Sequence, residues 1–309
     1  MSILPTKVLL ATDGSEDAAL ATRTAVDLCN KTDSELHVVT VARVEYRPGY
    51  DIPESGDLLS EVYRSLEQEA QELLDEQVKK VEEAGGIVAE SYLRSGRRDR
   101  EIVALADEID SGLIVMGSRG RGGVRRALMG SVSDSVVRHA HCPVLVVRGE
   151  GGEEERTAIT FPTKILVATD SSEEATLAAR TAADIAAKTE SEVHLVHVRG
   201  MPVYIDPGSE APRVASGAAE ETIRREAQGV LDTQAEQLEA ANGKVTQTHL
   251  RLGRPVEEII VLADEIDAEL VVMGSRGLGR VRRLLLGSVS DGVVRHAHCP
   301  VMVVRKEKR

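Results

Sequence analysis

The chain has 309 residues, which is enough for about two domains of ordinary size. Hydrophobic residues make up 42% and charged residues 29%, as in typical globular proteins, but aromatic residues make up only 2%, so we predict an aliphatic core. The net charge of −13 and the few aromatic side chains argue against a nucleic-acid-binding protein, because such a protein needs a basic surface or stacking platforms.

The composition also bears on compartment and membranes. The N-terminal segment has no charged leader followed by an apolar stretch, and no apolar run approaches the ~18–20 residues of a membrane span. Three cysteines are too few for a disulfide framework. We therefore expect a cytoplasmic protein with neither a membrane partner nor a nucleic-acid partner.

The sequence contains the same segment twice. "KVLLATDGSEDA" at Lys7 returns as "KILVATDSSEEA" at Lys164, and the matching C-terminal stretches end at Arg148 and Arg305. The offset is 157 residues at both ends (164 − 7 and 305 − 148). This period predicts two complete tandem domains, 1–149 and 162–309, joined by a Gly- and Glu-rich linker over 150–161.

Apolar runs alternate with helical patterns along each copy. In the first copy the predicted elements, strand and helix by turns, are Lys7–Thr12, Ser15–Lys31, Glu35–Ala42, about Leu58–Ala84, Gly86–Arg94, Asp99–Asp110, Gly112–Gly117, Ser131–Ala140 and Pro143–Arg148. This alternation predicts an α/β fold with a five-stranded parallel sheet flanked by helices in each copy. Because ligands of such sheets bind beyond the carboxyl ends of the strands, the residues that follow strands are the candidates for a site.

A carboxylate follows the first strand of each copy, at Asp13 and at Asp170. A carboxylate in this position can bind a ribose hydroxyl, an amine or a metal. Aspartate is also a favoured N-cap residue, so either residue could instead cap the next helix. The sequence leaves both interpretations open.

The fourth strand of each copy is followed by glycines with the spacing G-x2-G-x9-G-S. They are Gly117, Gly120 and Gly130-Ser131 in the first copy, and Gly274, Gly277 and Gly287-Ser288 in the second. Glycine allows the backbone to approach an anion closely, and the final Gly-Ser opens a helix whose N-terminus favours phosphate. The alternative is a flexible surface loop in which Ser131 is an ordinary N-cap.

Arginines lie in the same loop. Arg119, Arg125 and Arg126 are candidate counter-charges for phosphate in an otherwise acidic chain. The loop is neither a Walker A motif nor a dinucleotide fingerprint, because it lacks G-x4-G-K-[ST] and G-x-G-x-x-G after the first strand. We therefore favour a phosphate-binding loop of another kind.

These motifs resemble the universal stress protein family in its tandem two-domain form. The resemblance rests on the Asp after strand one, "VMG" at the end of strand four, the glycine spacing and the final "CPVLVV" strand, and it covers nearly the whole chain. It implies a Rossmann-like sheet order of 3-2-1-4-5 and membership of the ATP-binding branch, with Mg carried on the ATP phosphates. It also implies pairing of the final strands, which would make a pseudo-dimer within the chain and a homodimer.

The resemblance assigns one adenine-nucleotide site to each domain. In the first copy it implies Ala11, Thr12, Asp13, Val41 and Met116 around the adenine and ribose, and Gly117, Ser118, Arg119, Gly120, Gly130, Ser131, Val132 and Ser133 around the phosphates. The matching residues of the second copy are Ala168, Thr169, Asp170, Val198, Met273, Gly274, Ser275, Arg276, Gly277, Gly287, Ser288, Val289 and Ser290.

Among these residues we find no nucleophile paired with a base. The sequence therefore favours a nucleotide-binding regulatory protein with little or slow ATP hydrolysis or autophosphorylation, and the alternative is a dimerising interaction scaffold that acts without nucleotide. The loops after strand two, from Glu45 and from Arg199, are connecting loops or lids.

The repeated "HAHCP" motif, His139–Pro143 in the first copy, is the other chemically suggestive sequence. Its two histidines lie two residues apart on a helix end and so point away from each other. We expect no metal there. His139 is predicted to complement a helix C-terminus, Cys142 to be a small buried residue, and Pro143 to start the last strand.

Overall fold

The structure is a computed structural model that describes residues 5–42, 56–120, 129–148, 162–200, 203–204, 213–214, 217–241, 243–278 and 286–306. The chain divides into two compact units, whose main segments are Leu4–Phe161 and Pro162–Lys306. The predicted linker lies outside the described residues, as does the loop from Glu45.

The first unit alternates strands and helices as the sequence predicts. Its elements are β1 (Lys7–Ala11), α1 (Glu16–Thr32), β2 (Glu35–Ala42), α2 (Gly56–Glu83), β3 (Val88–Ser95), α3 (Arg98–Glu108), β4 (Leu113–Gly117), α4 (Ser131–His139) and β5 (Val144–Val147). The continuous apolar runs become strands because the sheet is covered by helices, which leaves no polar face along the central strands.

The strands of the first unit are parallel and lie in the order β3-β2-β1-β4-β5. This arrangement confirms the predicted α/β fold and the order 3-2-1-4-5. The strands β2 and β3 extend the sheet from one edge of β1, and β4 pairs with the other edge of β1. Ala11 of β1 is the register partner of Met116 of β4. The residues after these two neighbouring strands therefore meet at the switch point of the sheet.

The second unit repeats this architecture. Its elements are β6 (Lys164–Ala168), α5 (Glu173–Thr189), β7 (Glu192–Arg199), β8 (Val203–Tyr204), β9 (Arg213–Val214), α6 (Ala218–Ala240), β10 (Gln247–Leu252), α7 (Pro255–Glu265), β11 (Leu270–Gly274), α8 (Ser288–His296) and β12 (Val301–Val304). The parallel order is β10-β7-β6-β11-β12, and Ala168 is the register partner of Met273. The short strands β8 and β9 pair antiparallel within the loop after β7, where the sequence predicts only a connecting loop or a lid.

The core of each unit is aliphatic, as predicted. The largest fully buried side chains of the first unit include Leu9, Leu10 and Ile114 on the central strands and Leu28 on α1. Among the described residues, no helix combines the length and the apolar composition that a membrane span requires.

Candidate functional site

A cavity of about 440 Å³ opens in the second unit at the carboxyl ends of β6, β7 and β11. This volume is within the range of ~300–1,000 Å³ that is usual for small-molecule sites. The residues predicted for the second copy that line it are Ala168, Thr169, Asp170, Val198, Met273, Gly274, Arg276, Gly277, Gly287, Ser288, Val289 and Ser290. Ser275 is the one predicted residue that does not line it. The fold therefore brings the predicted set together around one space.

The first unit places the matching residues on matching elements. Ala11 ends β1, Val41 lies near the end of β2, and Met116 and Gly117 end β4. Ser131, Val132 and Ser133 form the first turn of α4. The same strand ends and helix start therefore surround the corresponding position in the first unit.

The aspartates after the first strands do not cap the next helices. Ser15 is the N-cap of α1, and its hydroxyl accepts a hydrogen bond from the Ala18 N–H at 3.3 Å. Asp13 Oδ1 accepts from the Ser15 N–H at 3.1 Å and so stabilises the turn before the cap. The second unit repeats this arrangement with Ser172 as the cap and Asp170 in the turn. The capping alternative is therefore wrong, because each serine already performs that role.

The second carboxylate oxygen of each aspartate faces the glycine loop after the fourth strand. Asp170 Oδ2 accepts a hydrogen bond from the Leu278 N–H at 2.9 Å. A Cβ on Gly277 would overlap Asp170 Oδ2, and a Cβ on Gly120 would overlap Asp13 Oδ2. A side chain at either position would displace the carboxylate, because the loop passes directly over it.

The first glycine of the motif has a different role from the one that the spacing suggests. A Cβ on Gly117 would lie 2.7 Å from the backbone carbon of Asp17, and a Cβ on Gly274 would lie 2.8 Å from that of Glu174. These are backbone contacts with the first turns of α1 and α5. Gly117 and Gly274 therefore allow a helix to pack closely on the strand end.

The last glycine of the motif precedes a helix start that no side chain caps. Gly130 is the N-cap of α4 and Gly287 is the N-cap of α8, and neither helix has a side-chain capping bond. The first bond of α4 runs from the Asp134 N–H to the Gly130 carbonyl at 2.9 Å. Ser131 is therefore the first helical residue, which corrects the alternative that it is the N-cap. The N–H groups of a first turn are the ones that bind anions in other proteins.

The predicted loop serines make hydrogen bonds within the protein that hold the loop of the site. Ser118 and Ser275 are fully buried, and their hydroxyls donate to Asp17 Oδ2 at 2.7 Å and to Glu174 Oε2 at 2.6 Å. The Ser133 hydroxyl donates to the Ser118 carbonyl at 2.7 Å, which ties α4 to the loop. These hydroxyls hold the loop in place by bonds within the protein.

Sequence reasoning missed the acidic residues that anchor the loop. Asp17 Oδ2 also accepts from the Arg119 N–H at 3.0 Å and from Arg119 Nε at 3.1 Å, and Glu174 Oε2 accepts from the Arg276 N–H at 2.7 Å. An acid in the first turn of a helix is ordinary, since it complements the helix dipole. The signal that could have revealed Asp17 is its place on the apolar face of α1.

The loop arginines differ between the units. Arg119 forms an ion pair with Asp17, so part of the charge that the sequence assigns to phosphate is used within the protein. Arg276 lines the cavity, and its buried Nε has no hydrogen-bond partner among the described residues. Arg125 and Arg126 lie outside the described residues.

The cavity residues that the sequence did not predict include His197 and Pro255. His197 lies on β7 and Pro255 begins α7, and both line the cavity. Proline suits the first turn of a helix, so Pro255 fits the start of α7, where α3 of the first unit begins with Arg98. The structure shows that this position also faces the site.

The "HAHCP" segment lies at the amino end of the last strand, whereas the candidate site of a unit lies at the carboxyl ends of its strands. His139 Nδ1 lies 2.7 Å from the Ser135 carbonyl in the last turn of α4, and Cys142 is buried. His141 Nδ1 lies 3.0 Å from Asp107 Oδ2 on α3. These contacts agree with the structural roles that the sequence predicts for His139 and Cys142.

Comparisons with known proteins agree with the fold and the repeat. The sequence model of the Universal stress protein family matches residues 5–148 and 162–305. A universal stress protein of Mycobacterium tuberculosis (strain ATCC 25618 / H37Rv) is 30% identical over 309 residues, which cover 97% of each chain. A universal stress protein of Methanocaldococcus jannaschii is 37% identical over 142 residues, which cover 46% of this chain and 81% of that protein.

A solved structure matches over almost the full length. The crystal structure of a universal stress protein from Archaeoglobus fulgidus DSM 4304 aligns with a TM-score of 0.68 at 26% identity, and the alignment covers 98% of this chain and 97% of that chain. The two family matches, the sheet order and the repeated strand-end site lead to the same conclusion: the chain belongs to the universal stress protein family and carries the family domain twice.

Proposed function

We propose that this stress-response protein binds an adenine nucleotide, ATP, at the strand ends of each unit and acts as a regulatory protein. The observation that carries the proposal is the start of α8. Its N-cap Gly287 and first-turn Ser288 and Val289 line the cavity, and no side chain caps that helix. An uncapped helix N-terminus at the edge of a cavity favours a phosphate, because its N–H groups and dipole both stabilise negative charge.

The remainder of the cavity suits a nucleoside. Asp170 supplies a carboxylate two residues after β6, where a ribose hydroxyl could donate to it. Val198 and Met273 supply apolar surface on the strands to either side. A ligand with one anionic end, a hydroxylated middle and a flat, largely apolar end matches this order of surfaces. When bound, Mg would be carried on the ATP phosphates.

We further propose that hydrolysis is slow. Hydrolysis requires a base that is positioned to activate water. The carboxylates that contact the glycine loop already accept hydrogen bonds within the protein, since Asp170 accepts from two backbone N–H groups and Glu174 accepts from Ser275 and Arg276. Turnover is expected to stay far below ~1 s⁻¹, the low end of typical enzymes.

The alternative function is a dimerising scaffold that acts without nucleotide. It is favoured by the final strands β5 and β12, which are wholly apolar and end the strand order of each unit. Strands of this kind can mediate pairing between sheets. Glycine variants that abolish nucleotide binding would separate the two functions, because a scaffold would keep its cellular role.

The direct test is mass spectrometry of small molecules released from freshly purified protein. An adenine nucleotide at up to two equivalents per chain is the expected result. The proposal is overturned if no nucleotide is released and calorimetry with millimolar ATP also gives no binding. Rapid phosphate release over many turnovers would overturn the slow-hydrolysis part alone.

A further inference from the structure

We propose that His197 determines base specificity in the second unit by accepting a hydrogen bond from an amine on the base, such as the exocyclic amine of adenine. This inference rests on the proposed nucleotide function and concerns the same site.

The protonation pattern of His197 is fixed by one hydrogen bond. Its Nδ1 lies 2.8 Å from the carbonyl oxygen of Thr169. A carbonyl oxygen can only accept, so Nδ1 carries the hydrogen, and in the neutral ring Nε2 is then an acceptor. The strand-end backbone therefore selects the tautomer.

The acceptor nitrogen opens to the cavity. His197 is only 8% exposed and lines the cavity. Nε2 has no hydrogen-bond partner among the described residues. It is not fully buried either, so it retains accessible surface. Because His197 has little exposed surface and lines the cavity, we infer that Nε2 faces the cavity.

The position of His197 in the sheet places it at the base end of a bound nucleotide. The phosphate-binding helix start, at Gly287, follows β11, whereas His197 lies on β7, and β6 separates these two strands. Two strand spacings amount to about 10 Å. A nucleotide whose phosphates contact α8 and whose ribose contacts Asp170 would therefore direct its base toward β7.

The first unit lacks this acceptor. Thr40 occupies the position of His197, and its hydroxyl donates to the Thr12 carbonyl at 3.3 Å. The threonine makes the same kind of hydrogen bond to the backbone at the strand end, but it has no ring nitrogen that could accept a hydrogen bond from a base. The chain thus contains a natural control for the histidine.

The expected discrimination follows from hydrogen-bond polarity. Adenine presents an amine at position 6 of the purine, whereas hypoxanthine presents a carbonyl, which cannot donate to Nε2. A buried acceptor left facing another acceptor loses its hydrogen bond. The second site should therefore prefer ATP to inosine triphosphate more strongly than the first site does, by about tenfold.

The test uses ATP and inosine triphosphate as probes. Titrations would compare Gly120→Ala, in which the second site remains, with the double variant Gly120→Ala/His197→Thr. The reciprocal experiment introduces Thr40→His into a Gly277→Ala background, in which the first site remains. His197→Thr should reduce the ATP preference about tenfold and leave inosine triphosphate affinity nearly unchanged. Thr40→His should raise the preference of the first site.

Three results would count against the inference, and they are distinguishable. An unchanged ratio of the two affinities in His197→Thr overturns it and leaves the proposed function intact. If that variant binds neither nucleotide, ¹⁵N NMR of the histidines in the unaltered protein decides, since saturation with ATP must shift the Nε2 resonance of His197. Failure of the unaltered protein to bind either nucleotide overturns the proposed function and this inference together.

Discussion

Asp170 Oδ2 accepts a hydrogen bond from the backbone N–H of Leu278 at 2.9 Å, which ties the end of β6 to the glycine loop after β11. The loop residue just before, Gly277, passes so close to this carboxylate that a Cβ would overlap it. The Asp170 carboxylate and the glycine loop therefore hold each other in place at the cavity wall, and a change in one of them should alter the position of the other.

Gly277→Ala should weaken nucleotide binding at the second site at least about tenfold, because Asp170 must rotate and release Leu278 to make room for the methyl group. Stability should change by only about 1 kcal/mol, since Gly277 and Leu278 are exposed. Calorimetric titration with ATP measures the first quantity and thermal unfolding the second. Undiminished ATP affinity at this site would show that the glycine loop does not take part in nucleotide binding.

Gly274→Ala should instead destabilise the fold by about 1–3 kcal/mol, because its Cβ would meet the backbone of α5, which cannot turn aside. Gly229→Ala is the matched control. Gly229 is an exposed residue in the middle of α6 with nothing near its Cβ position, so this variant should be more stable by about 0.5–1 kcal/mol. Urea denaturation of the two variants should give opposite signs, and equal shifts would contradict the packing role of Gly274.

Asp17→Asn should destabilise the first unit by about 1.5–3 kcal/mol. One oxygen of Asp17 accepts from the Ser118 hydroxyl and from two nitrogens of Arg119, and the amide would remove the charge that strengthens these bonds. Asp33→Asn, at the exposed left-handed C-cap of α1, should change stability by less than about 0.5 kcal/mol, since asparagine tolerates that conformation. Chemical denaturation of both variants measures the difference, and equal effects would mean that Asp17 does not anchor the loop.

The second unit should lose stability on mild acidification through His249. Its Nε2 lies 3.0 Å from Nδ1 of His194, and the two rings stack. Burial lowers the pKa of His249 below its ordinary value of 6.5, and the nearby His194 and Arg251 lower it further, against the opposing effect of Glu265. The folded state therefore binds this proton less readily than the unfolded chain, so the stabilisation is complete above pH 6.5 and is lost as pH falls through the lowered pKa.

His249→Tyr tests this linkage with the residue that the first unit uses. Tyr92 stacks on His37 there, and burial together with Glu90 raises the pKa of Tyr92 to about 12, so it carries no charge near neutrality. Thermal unfolding between about pH 8 and pH 5 should show a smaller loss of stability in the variant than in the unaltered protein. The same pH slope in both proteins would assign the acid sensitivity to other groups.

Much of the fold could be predicted because its determinants are local. A run such as 8–11 in β1 is apolar at consecutive positions, which distinguishes a strand buried on both faces from an amphipathic one. The paired strands β8 and β9 were missed because each has only two residues, too few to show any periodicity. Helix ends shifted by one or two residues, as at α3, where the caps leave weak sequence signals.

The sequence could predict which residues form the candidate site, but not the role of each one. Spacing identified Gly117, Gly120 and Gly130, yet it could not show that helix backbone opposes the first and a carboxylate opposes the second. The supporting residues Asp17 and Gln77 lie far from the loop in sequence, and only the fold brings Gln77 within 3.1 Å of the Thr12 hydroxyl. Such contacts depend on tertiary packing, which a periodic pattern does not encode.

The central claim is that each unit binds an adenine nucleotide through its glycine loop. Calorimetric titration of the full chain with ATP, beside a Gly120→Ala/Gly277→Ala double variant of normal thermal stability, tests it most directly. Two equivalents should bind per unaltered chain, and binding to the double variant should be at least about tenfold weaker at both sites. A double variant that still binds two equivalents with unchanged affinity would contradict it.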